Sequence, residues 1–280
     1  MRIGVYQNNP EFGQVEKNVR QALTELECVK ADLVVMPELF NTGYQFVSKE
    51  EAFELAEEVP SGRTCRALTD LAFSKNMHLV FGIAERDGDR LFNSAAVIGP
   101  EGFTGRYRKS HLFYEEKYFF EPGDTGFKVF DTGTARLGVM ICFDWWFPEA
   151  ARTLALMGAD IICHPANLVL YGCHRAMVTR SLENGVFSVT ANRIGSEARG
   201  GKDTLVFTGE SQILDNRGNI LTAMKKDNTG IALVDIDLSR ARDKSLTALN
   251  DRFKDRRPEL YGALASSGLT GKAGAGQSQV

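Results

Sequence analysis

Two stretches of this chain follow one plan, and that plan limits the folds open to it. "RIGV" at residues 2–5 precedes a helical pattern and then "ADLVVMPE"; "RLGV" at 136–139 precedes another and then "ADIICHPA". Each reads as strand, helix, strand, closed by a proline at a matching position, Pro37 or Pro165. Parallel strands joined by a helix make a sheet whose faces must be covered. Two such units predict an α/β chain with two packed sheets, each carrying helices on its outer side.

The remaining segments fit this plan. Residues 16–30 show a helical pattern through Val19, Leu23 and Leu26, and a second helix is expected over 148–157, stopped at Gly158. A third, near 174–184, ends at Asn184-Gly185. "HLVFGIAERDGDRLFNSAAVIGP" contains two strands around a turn at Asp87 and Gly88, so the sheets are mixed. No linker-like stretch interrupts the chain before 262, and residues 1–262 are read as one domain. The tail 263–280, rich in Gly, Ser and Ala, has too little apolar surface to order itself, and is expected to be flexible or to lean on a partner subunit.

At 43% hydrophobic and 25% charged residues the composition is that of a soluble globular chain. A net charge of −3 offers no footing for nucleic acid or an anionic membrane. The densest basic cluster, "RFKDRRPELYG", is interleaved with Asp251, Asp255 and Glu259 and reads as solvated surface. No apolar run approaches the roughly 18 residues of a membrane span, and the first residues lack the pattern of a secretion signal. Five cysteines without a C-x-x-C pair suit a reducing compartment, so a cytoplasmic location is expected.

Ligands of α/β sheets gather beyond the carboxyl ends of strands, and Glu38, Cys142 and Asn167 all lie at or just past such an end. Cys142 separates the apolar run Gly138–Ile141 from a helix start marked by Pro148 and Glu149. A helix N-terminus or a nearby cation is expected to lower the thiol pKa, and backbone N–H groups after Cys142 can face a developing oxyanion. Cys28, Cys65 and Cys163 read as packing residues. A thiol nucleophile needs a base, for which His164, His111 and Glu38 are candidates. Lys109 follows Arg106 and Arg108 in a basic run leading to Glu115, Glu116 and Glu121. Alone that run reads as solvated charge, yet an ammonium beside a thiol would neutralise charge on a tetrahedral intermediate. Tyr44, Phe113, Tyr114, Trp145 and Trp146 are candidates for an aromatic wall around a small acyl group, with Asn167 as a polar anchor. The Cys-His pairs at 163–164 and 173–174 fit no common zinc spacing, so no metal is expected.

"MPELFNTGY", "YRKSHLFYEEKYFFEPGD" and "GVMICFDWWFPEAARTLALMGAD" together resemble the three catalytic blocks of the nitrilase superfamily, the carbon–nitrogen hydrolases. The similarity extends through "HPANLV", "SLENGVFSVTANRIG" and "FKDRRPELY", and so spans residues 1 to 262. This resemblance implies a four-layer αββα sandwich, no cofactor, and a homodimer or higher homo-oligomer acting on small molecules. It implies that Glu38 is the general base, and that Lys109 stabilises the oxyanion with the backbone N–H of Phe143. Cys142 is then the nucleophile that forms a thioester and expels ammonia or an amine. The family's second glutamate best matches Glu116 rather than Glu115, because "EEKYFFEPGD" aligns on its Glu-Lys-aromatic core.

The sequence Cys142-Phe143-Asp144 departs from the Cys-Trp-Glu usual in true nitrilases and is similar to amidase and carbamoylase branches. "WFPEAAR" is similar to amidases of N-carbamoyl-amines such as carbamoylputrescine. Trp145 and Trp146 stand where carbamoylases of amino acids tend to carry arginines, which argues against an α-carboxylate substrate. "ELFNTGYQF" and "EKYFFEPGD" are similar to archaeal enzymes described as aliphatic nitrilases. The expected activity is therefore hydrolysis of a small aliphatic amide or N-carbamoyl-amine. A nitrilase for small aliphatic nitriles is the second reading, and a non-catalytic α/β binding protein on the same scaffold the third.

Overall fold

The computed structural model describes residues 1–266, and the tail expected at 263–280 lies outside the described residues from 267 onward. The chain divides into two compact units, Met1–Asp243 and Lys244 onward. In the second, a bridge joins Ser245 to Asp251, and short 3₁₀ turns occupy Pro258–Leu260 and Gly262–Ala265.

The first unit opens with β1 (Arg2–Gln7), α1 (Val15–Glu27), β2 (Leu33–Val35), α2 (Lys49–Leu55), α3 (Arg63–Lys75), β3 (His78–Asp87), β4 (Arg90–Gly99) and β5 (Gly102–Arg108). A short α4 (Glu116–Phe119) leads into the second half: β6 (Val129–Asp131), β7 (Arg136–Val139), α5 (Pro148–Leu156), β8 (Ile161–Pro165), α6 (Cys173–Asn184) and β9 (Phe187–Ala191). There follow a small ribbon of β10 (Ser196–Glu197) and β11 (Leu205–Val206), then β12 (Gln212–Leu214), β13 (Ile220–Ala223), β14 (Gly230–Asp235) and α7 (Ser239–Arg242).

Local chemistry accounts for these elements. The strands of the two echoed units are buried on both faces, as near-continuous apolar runs in parallel sheets must be. In α1 the residues Val15, Val19, Ala22 and Leu26 recur at helical spacing and turn one face to the core. Pro148 begins α5, where its missing N–H costs nothing. The β3–β4 hairpin turns at Gly88-Asp89, one residue later than expected; Gly88 has φ +61° at the first central position, as a type II′ turn requires.

The echo in the sequence is an echo in topology. One six-stranded sheet has the order β14-β1-β2-β3-β4-β5 and the other β6-β7-β8-β9-β12-β13. From either end named first, the pairings run antiparallel, parallel, parallel, antiparallel, antiparallel. The sheets meet through β1, β2 and β3 on one side and β8 and β9 on the other. Helices α1 and α3 cover the first sheet, α5 and α6 the second, which is the expected four-layer αββα sandwich. Both parallel pairs end at the same region, bringing the segments after β2 and β7 to it.

Candidate active site

Glu38 sits just past β2 in a loop stitched to β3. Gly82 donates its N–H to Pro37 and accepts from Phe40, and the next residue, Leu39, has φ +48°. A Cβ on Gly82 would stand 2.4 Å from the Glu38 Cα, so this approach requires glycine. Lys109 follows β5 and is anchored by its own N–H to Asn93 O at 2.8 Å. Its Nζ lies 2.7 Å from Glu38 Oε1 and 2.7 and 2.8 Å from the two oxygens of Glu116, the first residue of α4. Asn93 Nδ2 donates to Glu38 Oε1 at 2.7 Å, and the Tyr44 hydroxyl donates to Glu116 Oε1 at 2.7 Å. Glu38 Oε2 has no hydrogen-bond partner. Glu38, Lys109 and Glu116 are all buried.

Burial works against charge on Lys109, Glu116 and Tyr44. It disfavours the Lys109 ammonium, but the carboxylates of Glu116 and Glu38 outweigh it and hold the lysine above its ordinary range. Burial pushes the Glu116 carboxyl up to about 7, with Lys109 opposing and Glu38 reinforcing the rise. The Tyr44 phenol is raised by burial and by the same carboxylates, so it remains a donor.

Cys142 opens a 3₁₀ turn, Cys142–Trp146, at the end of the β7 chain, with φ +40°. A non-glycine residue in that conformation stores strain and needs external support. Asp144 supplies it, accepting from Ile141 N–H at 2.8 Å, the Tyr107 hydroxyl at 2.8 Å and the His111 backbone N–H at 3.2 Å. Glu38, Lys109 and Glu116 all act electrostatically on the thiol. The expected lowering of its pKa is overturned: burial, then the Glu38 charge, raise it well above the ordinary value, and Lys109 only opposes them. The thiol therefore rests protonated and depends on a base.

Both candidate histidines are engaged elsewhere. His111 Nδ1 is 2.7 Å from Asp144 Oδ1, and His164 Nε2 is 3.0 Å from the carbonyl oxygen of Cys142. Glu38 Oε2, by contrast, has no partner. Arg108, in a run that alone reads as solvated charge, is instead buried against Glu85, Asp87 and Asp124.

The cavity at Cys142 has a volume of about 10 Å³, the lower limit for a single water, and is lined by Phe113, Phe143, Trp145, Asn167 and Leu168 among others. Phe143, Trp145 and Asn167 thus line the cavity beside Cys142. Tyr44 meets the site through Glu116 and lines a neighbouring cavity. Trp146 does not line the cavity: it is 53% exposed and packs against Trp145 and Phe143. In a 3₁₀ turn, residues three apart eclipse, so Trp145 shares the side of Cys142 and Trp146 faces away. Tyr114 is also turned out, at 69% exposure. Both amide ends of Asn167 are buried without partners.

Sequence reasoning missed Asn93, Tyr107 and the bracing role of Asp144. It also missed Glu197, which accepts the N–H groups of Tyr44 and Gln45 and pairs with buried Arg193. The only trace of these is polar residues set inside apolar runs, as in "LFNSAAVI". Among the described residues no group of three or more His, Cys, Asp or Glu is arranged to hold a metal.

Comparison with known proteins agrees with the geometry. Residues 1–244 match the family model for carbon-nitrogen hydrolases. The chain is 50% identical to a nitrilase of Pyrococcus abyssi over 93% of this chain and 99% of that one. It is 35% identical to an N-carbamoylputrescine amidase of Solanum lycopersicum, over 84% of each. A carbon-nitrogen hydrolase structure from Helicobacter pylori G27 superposes with a TM-score of 0.85 at 28% identity, covering 95% of this chain and 98% of that one. A strained cysteine beside a buried Glu-Lys-Glu cluster, on an αββα sandwich matched along its whole first unit, makes this chain a member of the carbon-nitrogen hydrolase family.

Proposed function

We propose that the protein hydrolyses a small aliphatic amide or N-carbamoyl-amine through a thioester on Cys142. The observation carrying this reading is the buried Lys109 shared by Glu38 and Glu116, acting on a protonated thiol. Glu38 Oε2 takes the thiol proton as Sγ bonds to the acyl carbon, and the carbonyl π electrons move to oxygen. The resulting oxyanion faces Lys109 and the Phe143 N–H. Its collapse breaks the C–N bond, Glu38 returns the proton to the leaving nitrogen, and the thioester remains. Glu38 then deprotonates a water that attacks the thioester, releasing the acid and restoring the thiol. Glu116 holds Lys109 in place.

The aromatic and apolar lining at Cys142 suits a small acyl group. Asn167 favours an amide: its buried amide offers two hydrogens and an acceptor, and –CO–NH– groups can answer both. A nitrile has no hydrogen to give. The nitrilase reading is supported by the similarity to the Pyrococcus protein of that name. In it, Sγ adds to the nitrile carbon to give a thioimidate, and two waters are consumed to yield acid and ammonia.

The domain is read as reaching residue 262 on the "FKDRRPELY" block. All five cysteines are unpaired, which supports a reducing, cytoplasmic setting. Exposed Leu156, Met157 and Leu182 on and beside α5 and α6 support association of copies. Ammonia release from matched amide, carbamoyl-amine and nitrile panels separates the readings. Intact mass after exposure to propionamide should show an acyl adduct that is absent in Cys142→Ala; turnover surviving in that variant refutes the proposal.

A further inference from the structure

Strand β8 carries a fully buried histidine that this scheme does not use. His164 Nε2 lies 3.0 Å from the Cys142 carbonyl oxygen, and Nδ1 lies 3.2 Å from Thr190 Oγ1 on the neighbouring β9. A carbonyl oxygen only accepts, so Nε2 bears the hydrogen and Nδ1 accepts from the Thr190 hydroxyl. Burial pushes the imidazole down to about 4, so the ring is neutral above that pH and keeps this single tautomer.

The Cys142 carbonyl and the Phe143 N–H belong to one planar trans peptide and point in opposite directions. Fixing the oxygen therefore fixes the hydrogen. Drawing electron density toward the carbonyl also makes the N–H a better donor. As the second residue of its 3₁₀ turn, Phe143 has an N–H with no acceptor inside the turn. This peptide starts from a strained φ of +40°, and two side chains add to the backbone bonds of the turn: Asp144 through Ile141 N–H on one flank, His164 through the carbonyl.

We propose that His164 is a positioning residue, holding the Cys142–Phe143 peptide so that the Phe143 N–H meets the oxyanion, with Thr190 setting its tautomer. The inference rests on the thioester reading above. It assigns His164 an effect on acyl transfer and none on the nucleophilicity of the thiol.

Three variants test this: His164→Leu removes the donor, His164→Gln retains an N–H, and Thr190→Val removes the hydrogen that sets the tautomer. Each is assayed for kcat and KM on the best amide of the panel. Each is also assayed for methylation of Cys142 by iodomethane, which has no carbonyl and forms no oxyanion, followed by peptide mass, since Cys28 is also free and exposed. The expected result is a fall in kcat of about 10–10²-fold for His164→Leu, less than the roughly 10²–10³-fold of deleting an oxyanion donor outright, because the Phe143 N–H is displaced rather than removed. KM and methylation rate should stay within about twofold, with most of kcat recovered in His164→Gln and an intermediate loss in Thr190→Val. Unchanged kcat, or kcat and methylation falling together, overturns the proposal. If His164→Leu does not fold, Thr190→Val decides by the same split. Turnover surviving in Cys142→Ala would instead mark failure of the thioester reading, which these variants do not mimic.

Discussion

Glu38 and Glu116 meet on one ammonium, Lys109 Nζ, which lies 2.7 Å from an oxygen of each. Glu115, next in sequence to Glu116, instead pairs with Lys202 at 2.9 Å on the protein's partly exposed rim. The two glutamates should separate cleanly by mutation. Glu116→Gln preserves shape and the Tyr44 contact but removes the charge that holds Lys109. It should fold and lose about 10²-fold or more in kcat, the order of one preorganised electrostatic contact. Glu115→Gln should stay within about twofold, since partly exposed ion pairs contribute little. The reverse order in steady-state assays would move the supporting role to Glu115.

The same glutamate makes stability depend on pH. Its carboxyl is pushed from 4.5 to about 7, chiefly by burial, so the native state holds this proton more tightly than the unfolded chain. The stability it contributes is complete below about pH 4.5 and lost as pH rises through about 7. His78, His164 and His174, all lowered by burial, act in the opposite direction. Their effects cancel when Glu116→Gln is subtracted from wild type. In urea melts, that difference should fall by on the order of 2 kcal/mol between about pH 5 and pH 8. A difference that stays flat would put the shared proton elsewhere.

The paired sheets were legible because "RIGV…ADLVVMPE" and "RLGV…ADIICHPA" encode the same two parallel strands and helix twice. The partner of β1 was not: β14 arrives from residues 230–235, and pairing across that separation leaves no local mark. Glu38, Lys109, Glu116 and Cys142 could be named from their blocks, and they do meet. What surrounds them could not. Asn93 and Asp144 are single polar residues whose partners lie far off in sequence, and the Cys142 thiol is governed by burial, which no neighbouring letter reports. Trp145 and Trp146 look alike in the sequence; only the 3₁₀ phase of the turn tells them apart.

That burial makes a kinetic prediction. With its pKa held well above the ordinary value by burial and the Glu38 charge, Cys142 is a thiol in the free enzyme. Methylation by iodomethane should therefore keep rising with pH to at least about 9, since the thiolate is the reacting species. A rate already level from about pH 5 would reveal a preformed thiolate–ammonium pair with Lys109 and refute the assignment of Glu38 as the base required at attack.

Asn167 sets stability against function. Its Oδ1 and Nδ2 are buried with no partner, a condition that costs about 1–3 kcal/mol for each such group. Asn167→Leu keeps the same branched heavy-atom skeleton, with methyls in place of Oδ1 and Nδ2, among Phe113, Trp145 and Leu168. Denaturant melts should show a gain of about 1–2 kcal/mol from removing the unmet groups. The same change deletes the contacts proposed for the substrate's –CO–NH– group, so kcat/KM for the best amide should fall roughly tenfold or more. A nitrile has no hydrogen for Oδ1 and should lose less. Destabilisation by Leu would mean the amide is satisfied in solution, and equal losses on amide and nitrile would mean that Asn167 does not distinguish them.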